Sequence, residues 1–124
     1  CSGGRPCVCN DILHYFHLEF RVGLSDLPDN FGNLTQLTWL ALNNNDLSEL
    51  PSVIGNLSRL EQLGLSDNDL ETLPAEIGKL NMLHFLDLES NRLTTLPPEI
   101  INLNLHKGLN FMNLLIDPEV TFPP

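Results

Sequence analysis

Leu-Pro recurs at 27–28, 50–51, 73–74 and 96–97, each time 23 residues after the last. A fixed period constrains a fold more than any local propensity does. A unit that short cannot bury an apolar face alone, so neighbouring units must stack to complete one continuous core. Aligned on the dipeptide, residues 27–49 read LPDNFGNLTQLTWLALNNNDLSE, residues 50–72 read LPSVIGNLSRLEQLGLSDNDLET, and residues 73–95 read LPAEIGKLNMLHFLDLESNRLTT.

Two apolar patterns share each period. The first is L-x-L, at Leu40 and Leu42, Leu63 and Leu65, Leu86 and Leu88. Alternation puts both leucines on one face of a strand and the residues between them on the other. The second is a spacing of three: Phe31, Leu34, Leu37, then Ile54, Leu57, Leu60, then Ile77, Leu80, Leu83. That spacing predicts a short α or 3₁₀ turn with one buried stripe. Pro28, Pro51 and Pro74 stand just ahead of these turns, where a missing N–H costs little. Each unit therefore reads as strand, turn and short helix.

Asn45, Asn68 and Asn91 hold one fixed place, three residues after the second strand leucine. A polar residue recurring inside an apolar frame needs partners. An inward amide that bonds backbone groups of adjacent turns supplies them, and the three residues then form a ladder.

L-x-x-L-x-L-x-x-N-x-L, at residues 37–47, 60–70 and 83–93, resembles the leucine-rich repeat pattern. The 23-residue form with LPxxIGxL looks like the class found in plant intracellular Ras-group-related proteins, in Scribble- and Erbin-type scaffolds and in bacterial repeat proteins. The resemblance covers residues 18–124. It implies an α/β, right-handed solenoid of about five repeats, with a parallel concave sheet and short convex α or 3₁₀ helices.

Both ends depart from the period. Leu18-Glu19-Phe20 reads as the first strand of a repeat that is one residue short and lacks the asparagine. Residues 1–17 read as a cap or flanking segment, with Ile12, Leu13, Tyr15 and Phe16 available to cover the open core. At the other end a three-residue insertion near 101–108 restores the frame. Leu109, Met112, Leu114, Asp117 and Val120 then fill it, with Asp117 in place of the asparagine. Ile101 stands where 32, 55 and 78 are glycine. A chain that starts at Cys1 and stops at Pro124 is expected to be processed or to belong to something longer. No signal-peptide pattern precedes residue 13.

With 16 acidic and 6 basic side chains the formal net charge is -10, the wrong sign for the electropositive footprint of a nucleic-acid binder. No apolar run is long enough for a transmembrane segment. There is no phosphate-binding glycine loop, no H-E-x-x-H and no nucleophile elbow. Ser66, His84 and Asp87 could meet on adjacent strands as a catalytic trio, but outward positions supply such trios by accident. No catalytic residue and no cofactor is expected.

Alternation leaves the outward strand positions to solvent. One column reads His17, Trp39, Gln62, Phe85, Phe111; the next reads Glu19, Ala41, Gly64, Asp87, Asn113. Asn43, Ser66 and Glu89, then Asn44, Asp67 and Ser90, continue the surface. Exposed aromatics in a charged surround are what a protein-binding patch looks like. The expected partner-binding set is Trp39, Asn43, Gln62, Asp67, Phe85, Asp87, Glu89 and Phe111, facing a protein with a basic or mixed surface. The plain reading is that such surfaces vary freely and a neighbouring domain covers the aromatics. Two other functions fit the same residues: a subunit bracing a larger assembly, or a targeting domain cut from a larger signalling enzyme.

Cys1, Cys7 and Cys9 allow several states. They resemble the cysteine cap of extracellular leucine-rich repeat proteins, although Phe20 stands where a fourth cysteine is expected. Cys1-Ser2-Gly3-Gly4 also looks like a processed bacterial lipoprotein start. Cys7, Cys9, His14 and His17 could hold zinc, at an unusual spacing. Free thiols in a cytoplasmic protein are the plain reading. No metal is expected, and the compartment is read as cytoplasmic, with an extracellular or Cys1-anchored location as the alternative. Asn33-Leu34-Thr35 and Asn56-Leu57-Ser58 have the form of glycosylation sequons, at one place in two repeats. Asp67-Asn68-Asp69 with Glu71 only faintly resembles a calcium loop.

Overall fold

The computed structural model describes residues 17–103 and 113–121. Five strands of three residues form one parallel sheet in chain order: β1 (His17–Glu19), β2 (Trp39–Ala41), β3 (Gln62–Gly64), β4 (Phe85–Asp87) and β5 (Asn113–Leu115). The central residue of each strand pairs with the next, so Leu18, Leu40, Leu63, Leu86 and Leu114 run in register. Leu40, Leu63 and Leu86 are wholly buried. The repeated leucine of the sequence is thus one continuous inner wall.

Each return to the next strand carries one 3₁₀ helix: Asp29–Asn33, Ser52–Asn56, Ala75–Lys79 and Pro98–Asn102. Of the two turn types the spacing allowed, the tighter one forms all four times. The local reasons are visible. Proline fixes φ near −65°, and Pro28, Pro51, Pro74 and Pro97 hold extended backbone just before each helix. The carbonyl of Pro28 then accepts the first i→i+3 bond, from Phe31 N–H at 3.0 Å, and Leu34 N–H continues to Phe31 O at 3.2 Å. A turn of 3.0 residues brings apolar positions three apart onto one side. Phe31, Leu34 and Leu37 are accordingly all buried, as are their counterparts in the next two units.

The sheet and the 3₁₀ helices enclose a core of leucine, isoleucine and phenylalanine between them. Strands can approach to about 4.8 Å, closer than helices with side chains between them. The sheet is therefore the concave side. Glycine relieves the crowding on the other side. A Cβ on Gly78 would stand 2.6 Å from the carbonyl oxygen of Glu99 on the following helix, a distance no side chain tolerates. Ile101 occupies the matching place on the last helix and is 65% exposed.

The first unit is one residue short, as the sequence indicates: His17 pairs with Trp39, 22 residues on, whereas Trp39 pairs with Gln62, 23 residues on. Gly23, at φ 70°, turns the shortened segment back toward the core. β1 begins at His17, inside the stretch read as a cap.

The last unit corrects the sequence reading. Phe85 pairs with Asn113, Leu86 with Leu114 and Asp87 with Leu115. The expected alignment placed Phe111 beside Phe85 and Asn113 beside Asp87, two residues earlier. Beyond the strand the expected frame returns: Thr95 bridges Thr121, and Val120 is buried. Two residues are thus lost between β5 and Asp117. Met112, Leu114 and Ile116 all alternate, so a period of two could not choose between these registers. Cys1, Cys7, Cys9, His14, Leu109, Phe111 and Met112 lie outside the described residues.

Candidate protein-binding face

The outward row nearest the strand starts reads His17, Trp39, Gln62, Phe85, Asn113, and the next reads Glu19, Ala41, Gly64, Asp87, Leu115. Trp39 is 42% exposed, and Phe85 is half-buried. The rings of His17 and Trp39 are stacked, with centroids 3.8 Å apart and planes 12° from parallel. These residues sit on adjacent strands. Gln62 on β3 is the next residue of the row. His17, a member of the expected column but not of the expected binding set, holds Trp39 upright.

The second row forms a low floor. Ala41 and Gly64 are buried, and the Asn43 side chain lies over Gly64. A Cβ on Gly64 would meet Asn43 Nδ2 at 2.8 Å. Asn43 is fixed there because its Oδ1 accepts bonds from Ser66 N–H at 2.8 Å and Ser66 Oγ at 3.0 Å. This Asn–Ser clasp depends on a glycine in a neighbouring row and has no signature in the linear pattern.

Acids border the floor. Asp87 is partly buried, and its Oδ1 accepts the Glu89 N–H at 3.1 Å. Glu89 and Asp67 are exposed. Asp67, Asn44 and Ser90 share one left-handed turn position, at φ 56°, 61° and 57°. Among the described residues, Asp67, Asp87 and Glu89 make no ion pair; the two pairs that form are Arg21 with Glu19 and Arg92 with Asp69.

The asparagine ladder holds the rims of these strands. Asn68 Oδ1 accepts Leu47 N–H at 3.0 Å, and its Nδ2 donates to Leu42 O at 2.9 Å and Leu65 O at 3.1 Å. Asn91 repeats the arrangement with Leu70 N–H and Leu65 O. Asn45 bonds Leu24 N–H and Phe20 O in the divergent first unit. Asp117 ends the ladder as an acceptor only, taking Ser90 N–H at 2.9 Å and Asn91 N–H at 3.3 Å.

Two minor readings of the sequence fail on geometry. Ser66 follows β3, whereas His84 precedes β4. In the observed register they lie five positions apart along the strand direction, about 16 Å, so no Ser-His-Asp trio assembles. Asn68, required for a calcium loop, has its amide engaged in the ladder, and Asp69 pairs with Arg92 at 3.8 Å. Asn33 and Asn56 are exposed at the ends of 3₁₀ helices.

Comparison with known proteins agrees with this architecture. The family described as Leucine rich repeat matches residues 35–93. The solved structure of a leucine-rich repeat protein from Leptospira interrogans is similar, with a TM-score of 0.68 and 37% identity over 81% of this chain. The chain spans 24% of that protein. No curated protein sequence matches.

Proposed function

We propose, from the premise that this chain belongs to the leucine-rich repeat family, that it is a protein-interaction module binding its partner on the concave sheet around Trp39. It is assigned no reaction of its own. The observation that carries the reading is Trp39 itself, a large aromatic 42% exposed and stacked on His17. A rigid aromatic on a regular sheet loses little entropy on binding, and such residues dominate interface energetics. The carboxylates of Asp67, Asp87 and Glu89, which make no ion pair among the described residues, give the face an acidic character that favours a basic or mixed partner surface. Affinity capture of the native protein, compared with its Trp39→Ala variant by quantitative mass spectrometry, tests the proposal. A partner retained by the native chain and lost from the variant supports it; equal recovery removes Trp39 from the site.

A second reading, a bracing element of a larger assembly, draws on the far end of the array. There Ile101 is 65% and Leu115 39% exposed. A stoichiometric complex that survives Trp39→Ala but not Ile101→Asp, on the helical side, favours it.

A further inference from the structure

We infer that the open face of the Trp39 indole, together with Asp87, seats an arginine side chain of a basic partner segment; this rests on the concave-face reading above. Three observations converge on that chemistry. First, the His17 stack covers one face of the indole at 3.8 Å, and Trp39 is still 42% exposed, so aromatic surface remains for a ligand. An aromatic face accepts a flat group laid parallel to it, and tryptophan is the best cation acceptor among the aromatics.

Second, the floor beyond is low. Ala41 and Gly64 present little above the backbone, and the Asn43 side chain covers Gly64. The rows of β2 and β4 are two strand spacings apart, roughly 10 Å. Asp87 also stands two residues further along the strand direction than Trp39, a span that the stem and guanidinium of one arginine can bridge.

Third, the charge is unanswered. Asp87, Asp67 and Glu89 have no cationic partner among the described residues, while Arg21 on the same side is held against Glu19 at 3.7 Å. Asp87 Oδ1 faces the Glu89 N–H, which leaves its second oxygen for an incoming donor. Lysine would answer the charge alone. Arginine also lays its flat guanidinium on the indole while donating to the remaining carboxylate oxygen, so the site discriminates between them.

The test uses a phage-displayed library of random dodecapeptides, selected on the full chain. The winners are re-synthesised with a fluorophore and titrated by fluorescence anisotropy, which reads every variant; quenching of Trp39, the sole tryptophan, places the contact in the native chain. The expected result is enriched peptides sharing an arginine. Its replacement by lysine, Asp87→Asn or Trp39→Ala should each weaken binding about tenfold or more, whereas Glu76→Gln on the helical side leaves it unchanged. Peptides without arginine that need Trp39 but not Asp87 overturn the arginine seat and leave the concave reading standing. Peptides indifferent to Trp39→Ala, or no enrichment at all, overturn both.

Discussion

Asn68 Nδ2 donates to the carbonyl oxygen of Leu42, one turn back, at 2.9 Å. The same side chain accepts Leu47 N–H at 3.0 Å, so one amide joins two units of the array. Leucine has nearly the same volume but neither donor nor acceptor. Asn68→Leu would strand Leu47 N–H at a site only 6% exposed, while Leu42 O keeps the Asn45 amide at 2.9 Å. The expected cost is about 1–3 kcal/mol, read as a lower urea midpoint. Asn91→Leu, at a less buried rung, should cost less.

Gly78 on the helical side and Gly64 on the sheet make a graded prediction. At Gly78 a new Cβ would meet a backbone oxygen at 2.6 Å, whereas at Gly64 it would meet the Asn43 side chain at 2.8 Å. A carbonyl on a packed helix cannot step aside, but a side chain can. Gly78→Ala is expected to destabilise by about 1–3 kcal/mol and Gly64→Ala by less. Thermal unfolding of the two variants side by side checks the order.

Ser90 carries the opposite expectation. It holds φ 57°, a region that asparagine and glycine enter more easily than serine. Asn44 already fills the equivalent place in an earlier unit at φ 61°. Ser90→Asn should stabilise by about 0.5–1 kcal/mol, seen as a raised Tm. A lowered Tm would mean that the serine contributes more than its backbone conformation costs.

The concave face should bind with a marked salt dependence. Exposed charges are screened over about 10 Å at 0.1 M salt, and acidic rim residues act mainly on the association rate. For a captured partner, raising the salt should slow association more than it speeds dissociation. Glu89→Gln should flatten that dependence. Stopped-flow or surface-resonance kinetics across a salt series measure both.

Much of this architecture was legible because the period forces it. A unit with leucine at 40 and 42 and apolar residues at 31, 34 and 37 has one way to bury them all, and the strand, the turn and the ladder follow. The α or 3₁₀ choice was less visible, since a spacing of three suits both; the tighter turn forms all four times after a proline, even where Ile101 replaces the glycine. The register of β5 was illegible for a sharper reason. Met112, Leu114 and Ile116 offer two equally apolar strands, and only pairing with Leu86 selects Leu114 as the central residue. Among site residues, Trp39, Gln62, Phe85 and Asp87 stand in the rows that alternation assigned. What alternation could not give was the contact between rows: His17 against Trp39, and Asn43 clasped by Ser66 over Gly64.

The most direct test of concave-face binding is site-specific photocrosslinking of the native chain to its captured partner. A photoreactive residue is placed at Gln62 on the sheet or at Ser52 on the opposite side, both exposed positions. The account predicts a covalent partner adduct from position 62 and none from 52. An adduct from 52 alone would contradict it.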